Sequence, residues 1–517
     1  MQGSRKKNIA SKEGTCEDRF SNRWGLLAAA LAMAVGAGNI WRFPRMAAQH
    51  GGVFILLWLG FTVLWSIPLL MTELAMGKAT RKGPVGAFGK LLGPRLTWMG
   101  GFVAVCTLAI MFYYSVVTGW SAWYFLACIF RFDDVSRNAD SAWATLTGGN
   151  HIAVIFQFAA AGGCGLLLLK GVASGIERAC KVLVPLLAVL LVTAAVRGLT
   201  LPGGLQGVEH LFSIDPAAFA RSETWLQALS QSAWSTGAGW GLILTYGSYA
   251  RKEEDIGASA VITALGDNAA SILAAIAILP AIFALAGSTD GALAVTRSDN
   301  TGMAFVWMPQ LFGRMPGGGR FFAALFFLSL TAASASSLLA MMEMGVRVLM
   351  DFGLKRKWAV SLITGGCFLL GLPSALNMNI FLNQDWVWGL GLLLSGVLFA
   401  AAVTRYGAGR FRNELINGDH GGWRVGAWFD VLIKWVIPVQ FAALIVWWFY
   451  QSAFKFSKGD ALNPLNPFSV GTVLLQWFIV IAVLIAASGA LHRFSTKHEC
   501  TDETRPGVTV TGKRKKR

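Results

Sequence analysis

Charge is scarce in this chain. Asp, Glu, Lys and Arg make up 14% of its 517 residues while hydrophobic residues reach 55%, too apolar a balance for the surface of a soluble globular protein. Cysteine offers no framework either. The seven (Cys16, Cys106, Cys128, Cys164, Cys180, Cys367, Cys500) are scattered, with no CxxC or metal-ligand spacing, which argues against a disulfide scaffold or a thiolate metal centre. The six His are equally dispersed. No Walker sequence appears, which disfavours ATP-driven work, and no side-chain constellation implies covalent chemistry, so the chain does not read as an enzyme. Acidic residues are the scarcer sign, 27 against 44 basic, for a net charge of +17.

What the chain has is long apolar runs, such as Val53–Met71, Ile152–Leu169, Ala179–Val196 and Thr472–Leu491. Each approaches or reaches the roughly 20 residues that cross a bilayer as a helix. About twelve such segments, near 24–49, 54–77, 97–130, 152–170, 179–197, 223–247, 257–287, 319–350, 358–375, 385–404, 428–450 and 470–491, predict an all-α integral membrane protein. The polar stretch ahead of the first run has no short h-region with an Ala-x-Ala site, so no signal peptide is read there. Basic residues cluster in alternate connections: Lys78–Arg95, Arg178 and Lys181, Arg251 and Lys252, Lys355–Lys357, Arg405–Arg412, and the Lys513–Arg517 tail. This is the positive-inside pattern with both termini cytoplasmic; the tail is a topology signal or anionic-lipid contact rather than a nucleic-acid site. The basic cytoplasmic ends and the lack of a long glycosylated external loop point to a bacterial inner membrane. The connections Arg197–Glu223 and Gly287–Arg320 are long enough to be external lids.

Two apolar segments carry the same tripeptide, Gly36-Ala37-Gly38 and Gly237-Ala238-Gly239. Two Gly within three residues weaken a helix, each by about 1 kcal/mol relative to Ala. Unwound backbone at membrane depth is tolerated where it is buried or lines a polar cavity, and paired interruptions in the two halves of a membrane protein mark a transporter's binding site. Helix-packing small residues are the competing explanation. A third copy, Gly407-Ala408-Gly409, lies in an Arg-rich stretch and reads as an ordinary loop. With the first and sixth spans opening the two halves, the pattern predicts a five-plus-five inverted repeat: a cytoplasmic segment 1–22, a transport core 23–407 (repeats about 23–200 and 222–407), peripheral helices over 408–495 and a basic tail 496–517. A break frees carbonyls at the end of one half-helix, which suit Na⁺, and N–H groups at the start of the next, which suit a carboxylate. Asn39 adds a hard oxygen. Arg42 lies one turn on, in an otherwise apolar span where a charge is functional by default.

The run GAGNIWRFP with the following GG closely resembles the signature of the neurotransmitter:sodium symporters, in particular leucine-transporter-like amino acid:sodium symporters, and the similarity runs from about Arg23 to about Gly407 through ten spans. The resemblance implies two sodium sites. The first would use the Ala34 carbonyl, Asn39, Ser235, Asp267 and the substrate carboxylate; the second, carbonyls of Ala32, Val35 and Ala333 with the Ser336 and Ser337 hydroxyls. The Ala37 and Gly38 N–H groups and the Tyr114 hydroxyl would hold the substrate carboxylate, with Trp234 as an aromatic lid. Ile110, Trp234, Gly237, Trp240, Ser337 and Met341 would line the side-chain pocket. Arg42 and Asp385 resemble the outer gate pair and Asp351 the inner gate acid. Ala34 stands where monoamine carriers have a carboxylate, so the substrate must bring its own: an amino acid, hydrophobic or aromatic rather than small and polar.

Three departures stand out. Positions matching the chloride ligands of chloride-dependent members read Trp58, Gln231, Ser235, Ser271 and Asp267. A carboxylate at 267 repels chloride, so transport is expected to be chloride-independent; a register slip would instead bring Asn268 to that place. The larger indole of Trp58 replaces a hydroxyl-bearing residue, consistent with the same loss. In the N-terminal segment Phe20 takes the aromatic gate position, but Glu17 stands where an Arg is expected, leaving Arg19 as a candidate substitute. The function implied is sodium-coupled symport by alternating access. A nutrient sensor or passive channel on the same scaffold, or an exchanger of another small carboxylate, are the alternatives; oligomeric state is open.

Overall fold

The computed structural model describes residues 19–149, 151–418, 422–457 and 459–497. Glu17 and the basic tail from 498 onward lie outside the described residues. In hydrocarbon every backbone polar group must pair within the chain, and the described chain is accordingly built of helices. Ten helical stretches among the described residues are long and apolar enough to cross a membrane.

The chain opens with α1 (Arg23–Ala34), whose N-terminus is capped by the Asn22 side chain accepting from the Gly25 N–H; such a cap contributes about 1 kcal/mol. After a gap of two residues α2 (Ala37–Phe61) begins. It runs through a π-helical turn at Thr62–Ser66 into α3 (Ile67–Thr80). Sequence reading separates the first and second spans near residues 50–53. The structure turns the corner on Gly51, at φ +66°, without leaving helical hydrogen bonding for long. There follow α4 (Pro84–Leu92), the 34-residue α5 (Thr97–Phe130), α6 (His151–Leu168) and α7 (Arg178–Thr200). The second half opens with α8 (Ser222–Ser235) and, past a six-residue interruption, α9 (Leu242–Ser248). Then come α10 (Ile256–Leu285), α11 (Gly319–Asp351), α12 (Arg356–Leu376) and α13 (Met378–Tyr406). The chain closes with α14 (Ile437–Gln451) and α15 (Val470–Lys497).

Helices α5, α11 and α13 are buried along most of their length, whereas α7, α14 and α15 keep broad apolar faces outward. Exposed Val189, Trp435 and Phe478 on the outer helices are lipid-facing positions, not defects. Lipid tails leave no hydrophobic force between helices, so close backbone approach has to supply the packing. Gly77 of α3 shows how close: a methyl there would fall 1.9 Å from the Leu244 carbonyl oxygen of α9.

Both long connections are partly helical, with segments Gly204–Phe212, Thr289–Arg297 and Met308–Gly313. They fold onto the middle of α2, ahead of its Gly51 corner. A ring nitrogen of His210 lies 2.7 Å from the Ala48 carbonyl, and Arg45 donates to the Ser298 carbonyl at 2.9 Å. The third Gly-Ala-Gly is not the open loop its polar setting predicts. Gly407, at φ +99°, ends α13, and a short helix Ala408–Phe411 starts directly after it.

Candidate functional site

Each interruption has its own local cause. At the first, Val35 (ψ +85°) and Gly36 (φ −105°, ψ −170°) leave helical backbone, while Ala37 and Gly38 are already the first turn of α2. The Asn39 Oδ1 accepts from the Gly36 N–H at 2.9 Å, capping the new helix from its third residue. Ser337 of α11 donates to the Met33 carbonyl at 3.1 Å, and the Ala37 N–H donates to the Tyr114 hydroxyl of α5 at 3.1 Å. At the second interruption Gly237, Gly239 and Gly241 all take positive φ (+69°, +91°, +75°). That backbone is open to glycine and costs an L-residue about 1–2 kcal/mol.

The two interruptions meet across a buried carboxylate. Asp267 of α10 accepts from Asn39 Nδ2 at 2.7 Å and from Ser235 Oγ at 2.6 Å. Asn39 Nδ2 also reaches Ser271 Oγ at 2.8 Å and Ser235 Oγ at 3.1 Å. Asp267 is fully buried, and among the described residues no Lys or Arg pairs with it. A carboxylate so placed is costly unless a cation joins it. Asn268 points elsewhere, donating to Thr62 Oγ1 at 3.0 Å.

A second cluster lies on α11. Ser336 and Ser337 both donate to the Ala333 carbonyl, at 2.9 and 3.4 Å. Ala32, Val35 and Ser336 share one wall of a cavity of about 260 Å³ between α1, α7, α10 and α11, lined elsewhere by Leu187 and Leu273. Around the first interruption, a methyl on Gly36 would sit 2.8 Å from Ser337 Oγ and 3.2 Å from the Tyr114 hydroxyl. Ile110 and Met341 are fully buried, and Trp234 and Trp240 meet edge to face at 5.7 Å. Gly237 faces the Met33 methyl, 3.2 Å from where a Cβ would stand.

Sequence reasoning missed two residues that hold the second interruption. Glu73 of α3, fully buried, accepts from the Gly239 N–H at 2.5 Å. Thr107 of α5 donates to the Trp240 carbonyl at 2.7 Å. A signal for Glu73 was present: a lone acid in the apolar run IPLLMTELAM is as anomalous as Arg42. Nothing in the sequence distinguishes Thr107.

Residues 17–146 and 151–495 match the profile of the sodium:neurotransmitter symporter family. The chain belongs to that family. An uncharacterized sodium-dependent transporter of Methanocaldococcus jannaschii is 27% identical over 483 residues, covering 90% of this chain and 97% of the relative. The sodium-dependent serotonin transporter of Drosophila melanogaster is 26% identical, over 79% of this chain and 74% of that one. Among solved structures, MhsT in complex with L-phenylalanine superposes with a TM-score of 0.72 at 28% identity, covering 83% of this chain and 99% of MhsT. The family is one of sodium-dependent membrane transporters, so the chain is a transporter rather than an enzyme.

Within the family pattern the gates differ from the pairing the resemblance implies. Among the described residues no ion pair joins Arg42 to Asp385. Arg42 instead donates to Gln231 at 2.5 Å, Ser230 at 3.0 Å and Gln227 at 3.2 Å, all on α8, while Asp385 accepts from the Tyr113 hydroxyl at 3.0 Å. About one turn of α8 thus takes the guanidinium that the resemblance assigns to Asp385. Gln231 is therefore a partner of Arg42. Trp58 is buried, with its ring 4.5 Å from that of Phe43. The Trp234 ring lies on α13, where a methyl on Gly389 would be 2.5 Å from its Cζ2. Asp351 faces Arg347 (3.3 Å), Lys82 (3.9 Å) and the Gly83 N–H (2.6 Å). Phe20 is buried edge-on against Tyr246, its N–H on the Tyr249 carbonyl.

Proposed function

We propose that this transporter couples Na⁺ entry to uptake of an amino acid by alternating access. One observation carries the reading: an unpaired buried carboxylate, Asp267, sits where both helix interruptions converge, beside Asn39 and Ser235. Helix C-termini leave carbonyls without intrahelical partners, so Ala34 can complete a hard-oxygen shell for a first Na⁺ with Ser235, Asp267 and Asn39. The Asn39 oxygen now caps Gly36, and a turn of its amide would bring it to the ion. Ala32, Val35, Ala333, Ser336 and Ser337 form the second cation site, next to the cavity that Ala32, Val35 and Ser336 border.

The start of α2 supplies the anion side. Ala37 and Gly38 N–H groups at a helix N-terminus suit a carboxylate, and Tyr114 already hydrogen-bonds the first of them. The substrate carboxylate then neighbours the first Na⁺, so each ligand raises the other's affinity by linkage. Ala34 brings no competing charge. The side-chain pocket of Ile110, Trp234, Gly237, Trp240 and Met341, with Ser337 its one hydroxyl, fits a hydrophobic or aromatic amino acid; MhsT with bound L-phenylalanine is in accord with this. Asp267 provides a fixed negative charge among the residues matching chloride ligands, so transport proceeds without chloride. Closure of the outer path brings Arg42 from α8 toward Asp385 under Trp234. The first and sixth spans of a twelve-crossing, five-plus-five scaffold then rock to open the site inward. Both termini lie in the cytoplasm, and the membrane is a bacterial inner membrane.

Proteoliposomes with an inward Na⁺ gradient should accumulate a hydrophobic or aromatic amino acid above equilibrium. Replacing Na⁺ with K⁺ should abolish this, and replacing chloride with gluconate should leave it intact. Equilibration without accumulation identifies a channel, and binding without movement a sensor; either result rejects the symport reading.

A further inference from the structure

The inner end of α1 is fastened by a residue outside every site described above. Glu177 ends a π-helical turn, Val172–Glu177, just ahead of α7. Its carboxylate is buried, accepts from the Ser21 N–H at 2.8 Å and from the Ser21 hydroxyl, and is met from its own helix by Lys181 at 2.6 Å. The contact is flush: a methyl on Gly25, in the first turn of α1, would lie 2.4 Å from the Glu177 carboxyl carbon. The first turn of α1 carries no acid of its own, so Glu177 also supplies the negative charge that a helix N-terminus favours.

Asp351, the acid expected to fasten the N-terminal segment, is engaged by Arg347, Lys82 and the Gly83 N–H. At the first residue of α1, Arg23 reaches Glu254 at 3.6 Å with its own side chain half exposed. Glu177 is thus a buried acid held just ahead of α1 by two donors of one residue, the Ser21 N–H and hydroxyl; Glu254, buried as well, meets α1 through the longer Arg23 contact.

We propose that Glu177 is the latch of the cytoplasmic gate. Its carboxylate holds Ser21 and the first turn of α1 against α7 while the site faces outward, and the inward swing of α1 begins when these bonds part. α1 spans only 12 residues, from this anchor to the interruption at Val35 and Gly36, so it can move as a rigid lever about that interruption. Glu177 is a positioning residue, and the inference rests on the alternating-access reading above. Lys181 keeps the carboxylate compensated when Ser21 leaves, which allows repeated opening without a bare buried charge.

Hydrogen–deuterium exchange of the full-length protein, in Na⁺ and in K⁺, tests the latch. In Na⁺, peptides covering α1 should exchange at least fivefold faster in Glu177→Gln than in the parent, with α13 unchanged. Ser21→Ala, which keeps the carboxylate and its lysine, should move α1 in the same direction by less and add nothing on the Glu177→Gln background. Equal α1 exchange in parent and Glu177→Gln overturns the latch. So does faster exchange spread evenly over all helices, the sign of a merely structural carboxylate, or acceleration of α1 by Asp351→Asn alone. If parent α1 exchange does not respond to Na⁺ at all, the sodium-coupled reading fails first and takes the latch with it.

Discussion

The two helix interruptions share a tripeptide and little else. The first spans two residues, Val35 and Gly36, and both of its flanking turns keep ordinary dihedrals. Neighbouring side chains stitch it: Asn39 from within, Ser337 and Tyr114 from the facing helices. The second runs from Thr236 to Gly241 and uses three positive-φ glycines. Its backbone is held from the scaffold, by Glu73 on an N–H and Thr107 on a carbonyl. The short break is a hinge with a cap. The long one is a loop threaded between helices, where bare backbone must find partners because water cannot supply them. A tripeptide therefore marks where a helix is weak, but the surroundings decide how far it unwinds.

That contrast can be broken at several points. Removing Glu73 should hurt most, since Gly239 would keep a buried donor with no acceptor. A buried donor left without its acceptor costs about 1–3 kcal/mol, so Glu73→Ala should weaken substrate binding by up to about 100-fold. Isothermal titration in saturating Na⁺ measures this, and a change below threefold would remove Glu73 from the site. Asn39→Ala should come next. It loses the cap on Gly36 together with the bond to Asp267, and Na⁺ titration of fluorescence should show an affinity loss of roughly 30-fold, about 2 kcal/mol. Unchanged sodium affinity would detach the first interruption from the cation.

The glycines give effects of opposite sign. Gly239→Ala forces a side chain into φ +91° and places a methyl 2.9 Å from the Gly396 Cα, at a cost of about 1–2 kcal/mol for the backbone alone. Its melting temperature should drop by a few degrees. Gly38, by contrast, is helical, and a methyl added there would meet nothing within 4 Å, so Gly38→Ala should melt no lower than the parent. Equal losses in both variants would mean that the two tripeptides play the same role after all. Thr107→Val is the smallest test: one hydroxyl bond to the Trp240 carbonyl, about 1 kcal/mol, or roughly fivefold in substrate affinity. The same change with full retention of affinity would show that Trp240 needs no support from α5.

Much of this was legible in the linear chain because membranes simplify the code. Long apolar runs and alternating basic loops mark helices whatever their neighbours, and a polar residue in such a run stands out. Asn39 and Arg42 are visible for that reason, Asp267 entered only through the family resemblance, and Glu73 could have been found by the same rule. Arg42 also shows the limit. Its anomaly is a sequence property, but its partner is not: Gln231, Ser230 and Gln227 on α8 hold it, not Asp385. Likewise, that Asp267 meets Asn39 and Ser235 while Asn268 meets Thr62 depends on helical phase, a rotation of about 100° that no one-dimensional spacing resolves.

By itself the sequence determined the helical membrane class and the two weak points, because each follows from local composition against the demands of hydrocarbon. Only the tertiary structure decided which polar groups meet. Glu177 reaches Ser21 from 156 positions away and Asn39 reaches Asp267 from 228. Such pairings depend on how helices pack and rotate about one another, and hydrogen bonds of under 3 Å leave no tolerance for a phase that the linear pattern only approximates.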